Sequence, residues 1–176
     1  MSHKIDQDNA HKSLPIIAAD VLTEIYAHAQ ETYPEECCGF LIGPEQSLSI
    51  DEARRCENQQ NRYHELDPKH FPRTAREAYY LGGKDLRFLA ESLDSSRPVK
   101  IIYHSHPDVG AYFSEEDTRA ALGRDPDDTA RPQYPVDYIV IDTQANHIGG
   151  AKLFRWSPAQ HAFIEVAVYD GNRTPL

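Results

Sequence analysis

The chain alternates short apolar runs with amphipathic stretches. Val21, Leu22, Ile25 and Ala29 recur at helical spacing, with Asp20 placed to cap the helix and Pro34 lying beyond its end. Residues 37–42 form a nearly continuous apolar run closed by Gly43-Pro44, the pattern of a buried strand. Leu48, Ile50 and Ala53 alternate with polar neighbours, which predicts a strand with one wet face. Residues 58–61 (Asn-Gln-Gln-Asn) read as a polar turn and 63–66 as a further short strand. Asp67-Pro68 has the chemistry of a helix start; Pro72 delays it, so a regular helix is predicted over 73–81, closed by Gly82-Gly83. Leu86, Leu89, Ala90 and Leu93 mark another amphipathic stretch, and 99–103 another buried strand. Residues 114–122 read as a helix stopped by Gly123, and the breaker-rich, charged segment 123–134 as a surface loop. Strands at 136–141, 148–156 and 163–169 complete the pattern. Helices interleaved with strands predict an α/β (α+β) fold with antiparallel neighbours near the C-terminus.

At 176 residues the chain fits one domain, expected over 14–170 between a polar, disordered or tag-like lead (1–13) and a short tail (171–176). The formal charge of −10 argues against a nucleic-acid partner, whose phosphates would be repelled. No apolar run reaches membrane-span length and residues 1–13 lack a signal-peptide core, so neither a membrane partner nor secretion is expected. Cys37, Cys38 and Cys56 are an odd number, and adjacent cysteines bridge poorly; Cys37 and Cys38 read as small core residues, and a reducing, cytoplasmic setting is expected. No pattern sets an oligomeric state.

The chemistry concentrates in residues 103–117. His104 and His106 sit two apart at the end of a predicted strand, so both imidazoles leave the same face and can converge on one ion. Pro107 stops the strand, Gly110 lets the chain turn back, and Asp117 lies one turn into the next helix, able to supply a third ligand. Ser114 with Asp117 is also the Ser-x-x-acid pattern of a helix N-terminus; the two readings are compatible, since the cap would aim the Ser114 hydroxyl into the site. Two His and one Asp leave a fourth zinc position for water, the mark of a catalytic rather than a structural site. Competing metal patterns fail: Val109 stands where a metallo-β-lactamase signature needs His, an amidohydrolase barrel needs a longer chain, and His-Glu-x-x-His is absent.

The string His104-x-His106-Pro107-x6-Ser114-x-x-Asp117 resembles the JAMM motif of the MPN+ (Mov34/PAD-1) metallopeptidases. That family also carries an upstream Glu-x-x-Gly-x-x-x-Gly, and Glu36 with Gly39 and Gly43 fits it. The resemblance spans about residues 14–170, with an extra helix-like stretch at 84–95 and a proline-rich loop at 123–134 as departures. It implies a single MPN/JAMM-like domain, a mixed curved β-sheet flanked by helices, of the prokaryotic single-domain type. It further implies one catalytic Zn²⁺ held by His104, His106 and Asp117, Glu36 as general base and Ser114 as a hydrogen-bond donor to the oxyanion.

The activity so implied is hydrolysis after the C-terminal Gly-Gly of a ubiquitin-like or sulfur-carrier protein, releasing cysteine or a conjugated partner. Two alternatives accompany it: the deconjugating protease of a bacterial ubiquitin-like modification or antiphage system, and a non-catalytic MPN scaffold. The segments 58–72 and 123–134 are candidate clamps for the substrate tail. Tyr112 and Phe113 are candidate channel walls, Phe113 serving equally well as core. His28, His64, His70, His147 and His161 belong to no constellation and read as surface or packing residues.

Overall fold

The structure, a computed structural model, describes residues 13–123 and 130–172. Most of the expected lead, six residues of the expected 123–134 loop and the last four residues therefore lie outside the described residues.

Successive side chains along the strands turn to opposite faces and feed two apolar clusters, which builds a six-stranded sheet with a core on each face. The elements in order are β1 (Ile16–Ile17), α1 (Ala19–Thr32), β2 (Cys38–Ile42), β3 (Ser49–Ile50), β4 (Glu52–Cys56), α2 (Gln60–Leu66), α3 (Gly83–Ser92), β5 (Val99–Pro107), α4 (Glu115–Leu122), β6 (Asp137–Gln144), β7 (His147–Ser157) and β8 (Ala162–Asp170). The large sheet runs β4-β2-β5-β6-β7-β8, and β1 pairs with β3 apart from it. Only β5 and β6 are parallel within the large sheet. This is the mixed α+β arrangement expected from the sequence.

Each face has its own core. Val21, Ile25, Tyr26 and Ala29 of α1 pack on Leu41, Ile101, Tyr103, Ile139, Ile141 and Leu153. Phe40, Ile102, Tyr138, Val140 and Phe154 point the other way, against Leu89 of α3 and Ala121 of α4. The three cysteines are buried and free. Among the described residues no helix is long and apolar enough to cross a membrane.

Several local expectations are overturned. Asp20 does not cap α1: pairing of β1 with β3 carries the chain to Ala18, whose N–H donates to Ile50 O, and Ala18 becomes the N-cap without a side-chain bond. Asp20 sits in the first turn, where its charge suits the helix dipole. The strand expected through Leu48, Ile50 and Ala53 is broken at Asp51, its first part pairing with β1 and its second with β2. The expected turn at 58–61 and strand at 63–66 are instead the entrance and body of helix α2. The helix expected over 73–81 does not form, and Gly82-Gly83 open α3 rather than closing a helix. The reason is Asn58. Its Oδ1 accepts from the N–H groups of Gln60 and Tyr80, while its Nδ2 donates to the carbonyls of Glu36 and Ala78. Four bonds from one side chain fold residues 58–80 back on themselves, and the rings of Tyr63, Phe71 and Tyr80 close over the loop at centroid distances of 4.5–5.5 Å.

The glycines after Glu36 have a packing reason. A Cβ on Gly39 would collide with the Arg54 carbonyl and the Tyr103 hydroxyl, and one on Gly43 with the Ser49 carbonyl. Tyr103 occupies that space because its hydroxyl donates to Nδ1 of buried His28 at 2.8 Å. Burial, reinforced by the Arg55 charge, pushes the His28 pKa down to about 4, so the ring stays neutral and accepts.

Gly39→Ala should therefore lower stability by about 1–3 kcal/mol in denaturant unfolding, the usual range for overpacking. An unfolded His28 takes up its proton near pH ~6.5 while the folded one waits until about 4, so stability falls as pH drops through that window. Thermal unfolding between pH 7 and pH 4 should show a shallower decline in His28→Gln than in the wild type; equal slopes would assign the decline to other groups.

Candidate active site

Strand parity sets the site. His104 and His106 leave β5 on the same face as Ile102, the face on which α4 packs, and α4 brings Asp117 to them. Cys38 of β2 pairs with His104, and the pairing continues past the strand: Ser105 N–H donates to Cys37 O, and Cys37 N–H to Ser105 Oγ. Two residues before Cys38, Glu36 shares its parity, and the Asp117 charge acts on its carboxyl. All four residues are buried, with Glu36 and His106 4 % exposed, His104 0 % and Asp117 7 %.

Three ligand residues converge. His104 Nε2 lies 3.1 Å from His106 Nε2 and 3.2 Å from Asp117 Oδ1, and His106 Nε2 lies 3.4 Å from Asp117 Oδ2. A tetrahedral ion bound at ~2.0–2.1 Å separates its ligands by roughly 3.3–3.4 Å, so the triangle fits a divalent cation of zinc's size. Among the described residues this is the one His/Cys/Asp/Glu group able to hold a metal.

Neighbouring groups prepare the donors. His106 Nδ1 lies 3.2 Å from Gly110 O, a contact that puts the proton on Nδ1 and leaves Nε2 as a free donor atom. Tyr79 stacks on the His104 ring at 4.6 Å, and His104 Nδ1 is buried without a hydrogen-bond partner among the described residues. Burial pushes the His104 pKa down, against the pull of Asp117, so the ring stays neutral. Burial also works against the charge on Asp117, but His104 and His106 outweigh it and hold the carboxyl well below the usual range. Glu36 behaves oppositely: burial first, then the Asp117 charge, raises it well above an ordinary carboxylic acid, with Arg73 offsetting part.

Ser114 is the N-cap of α4. Its Oγ accepts from Asp117 N–H at 3.0 Å and donates to Asp117 Oδ2 at 2.7 Å, while Ser114 N–H donates to the same oxygen at 2.8 Å. One capping box thus fixes both the helix start and the carboxylate rotamer. Tyr112, half exposed, lies edge-on to His106 at 4.9 Å, whereas Phe113 turns away into a ring cluster with Tyr138, Phe154 and Phe163.

The five residues singled out in the sequence are drawn into one region. Sequence reasoning missed Asn58, which holds the Glu36 carbonyl, Tyr79 on His104, and Arg73, whose charge acts on Glu36. Asn58 was visible only as part of a polar run, and nothing in the sequence marked the other two.

Comparisons with known proteins bear on the fold and the family. The sequence model of prokaryotic homologs of the JAB domain matches residues 18–156. A CysO-cysteine peptidase of Mycobacterium tuberculosis is 28% identical over 137 residues, 75% of each chain, and its Mycobacterium bovis counterpart matches equally. Among solved structures, a protein of Desulfitobacterium hafniense superposes with a TM-score of 0.58 at 19% identity, over 85% of this chain and 88% of that one. A protein of Salinibacter ruber does so with a TM-score of 0.55 at 22% identity, over 91% and 94%. At those identities the two structures speak for the fold.

Ser114→Ala removes the cap and should cost about 0.5–2 kcal/mol in equilibrium unfolding. Ser114→Thr, which keeps an N-cap hydroxyl, should recover most of that loss; a loss equal to that of Ala would remove the capping box as its cause.

Proposed function

The chain belongs to the prokaryotic JAB-domain family, and from that premise we propose that it is a zinc-dependent peptidase acting on a sulfur-carrier or ubiquitin-like protein. It would hydrolyse the bond after the carrier's C-terminal Gly-Gly, releasing cysteine or a conjugated partner. The observation that carries the reading is the buried His104–His106–Asp117 triangle with the Glu36 carboxyl on the same face. The mycobacterial relative supports the substrate class, its name describing a peptidase for a carrier–cysteine conjugate. Three buried free thiols suit the cytoplasmic setting that belongs to the same proposal.

His104, His106 and Asp117 would hold the Zn²⁺. When bound, the ion supplies Lewis-acid chemistry, polarising the scissile carbonyl and lowering the pKa of water toward ~7. The protein's own groups move the protons. The Glu36 carboxylate forms no hydrogen bond with another described residue, so its oxygens are free to accept from a water. As base it takes a proton from the attacking water, whose oxygen bonds to the glycyl carbonyl carbon. As acid it returns that proton to the leaving nitrogen when the C–N bond breaks. The surroundings that raise its pKa strengthen it as the base of the first transfer. Ser114 is the oxyanion donor: Asp117 N–H holds its oxygen, and its single proton turns from Asp117 Oδ2 toward the developing charge.

Cleavage of a CysO–cysteine conjugate should be abolished by a chelator and restored by zinc. Glu36→Ala should keep its fold and lose about 10²–10⁴ in kcat. Because the base must be ionised to act, activity should fall as pH drops and Glu36 gains a proton. Full activity in folded Glu36→Ala would refute this mechanism.

A further inference from the structure

Resting on that reading, the geometry points to Arg73 as the residue that selects the leaving group: its guanidinium stands where the free α-carboxylate of a single C-terminal amino acid would emerge. Arg73 is held in place. Buried Gln60 donates from Nε2 to Arg73 O at 2.8 Å, Ala75 N–H donates to Asn61 Oδ1 at 2.8 Å, and Ala75 O accepts from Glu36 N–H at 2.7 Å. The segment bearing Arg73 is thus bonded to the backbone of Glu36 itself. At the other end, Arg73 Nη2 comes to 4.0 Å from Glu116 Oε2, on the residue preceding Asp117. The side chain spans the mouth from the Glu36 side to the first turn of α4, and it is 48% exposed.

Its donors are not committed there. Glu116 Oε2 already accepts from Arg119 Nη1 at 2.8 Å, and the Arg73 side chain makes no hydrogen bond among the described residues. The guanidinium is felt at Glu36, whose pKa it draws back down. An available cation that acts on Glu36 and lies 4.0 Å from Glu116 answers a chemical need. When the glycyl–amino acid bond breaks, the leaving nitrogen takes its proton from Glu36, and the carboxyl carbon of a single released residue is two bonds from that nitrogen. An anion so close to acidic side chains would be repelled unless a cation met it, and a planar guanidinium meets a carboxylate with two parallel hydrogen bonds. A lysine ε-amine leaving from an isopeptide conjugate carries no carboxylate at that position. Arg73 therefore favours removal of one terminal amino acid over isopeptide cleavage, and is a specificity residue that exchanges no proton.

The test compares CysO–cysteine with its C-terminal carboxamide, which keeps the size and removes the charge. Zinc-loaded wild type should favour the acid by about 10- to 100-fold in kcat/KM, as a charge-assisted contact implies. Arg73→Gln should bring the ratio close to one, Arg73→Lys should recover part of it, and Arg76→Gln should keep it. Titration calorimetry with metal-free protein should show the same order of preference in binding. An Arg73→Gln enzyme that slows on both substrates alike, or retains the preference, overturns the assignment, as does loss of preference in Arg76→Gln. Wild type that cleaves both equally overturns it while leaving the peptidase reading intact; wild type that cleaves neither removes that reading and this one together.

Discussion

Two imidazoles and one carboxylate packed to within 3.1–3.4 Å of one another in the interior make a ready cation site. The carboxylate's charge is costly to bury, and its desolvation is offset only by what stands opposite it. In this chain the two imidazoles hold the Asp117 carboxyl low, and Ser114 donates to it from N–H and Oγ. A divalent ion would satisfy all three donors at once, and the edge lengths of the triangle already suit one. Much of the surrounding structure serves to hold those atoms that close.

Backbone rules do most of the holding. The period of two along β5 puts His104 and His106 on one face, and register with β2 brings Glu36 to the same place. The capping box then turns a helix start into a ligand clamp, because the oxygen of Asp117 that accepts from Ser114 belongs to the carboxylate that reaches the imidazoles. Gly39 and Gly43 let β2 lie close to its neighbours, which keeps Glu36 near β5 rather than out at an edge. On the opposite face Tyr103, bonded to His28, packs under the same strand that carries the ligands.

The parts of this arrangement governed by local periodicity were legible in the sequence. His104, His106, Ser114 and Asp117 follow from strand parity and helix capping, whereas Glu36 was marked only by the resemblance to the JAMM pattern, since nothing local distinguishes it from an acid at a strand edge. The segment 58–81 was not legible, because its conformation depends on one side chain, Asn58, satisfying four backbone groups up to 22 residues away. Propensity around Arg73 to Leu81 favours a helix, and those bonds outweigh it. The two-residue strand β1 was equally hidden, since only its partner Ser49–Ile50 makes it a strand. The consequence reaches function: Arg73, on the misread segment, arrives at the mouth of the site only because Gln60 and Asn61 hold the loop there.

The account turns on where a metal sits. Anomalous diffraction at the zinc edge, from crystals of zinc-loaded protein, measures this most directly. One peak per chain is expected, bonded to Nε2 of His104 and of His106 and to an oxygen of Asp117 at ~2.0–2.1 Å, with the Glu36 carboxyl facing its open side. A peak elsewhere, or the three side chains splayed apart with zinc in excess, would contradict the account at its centre.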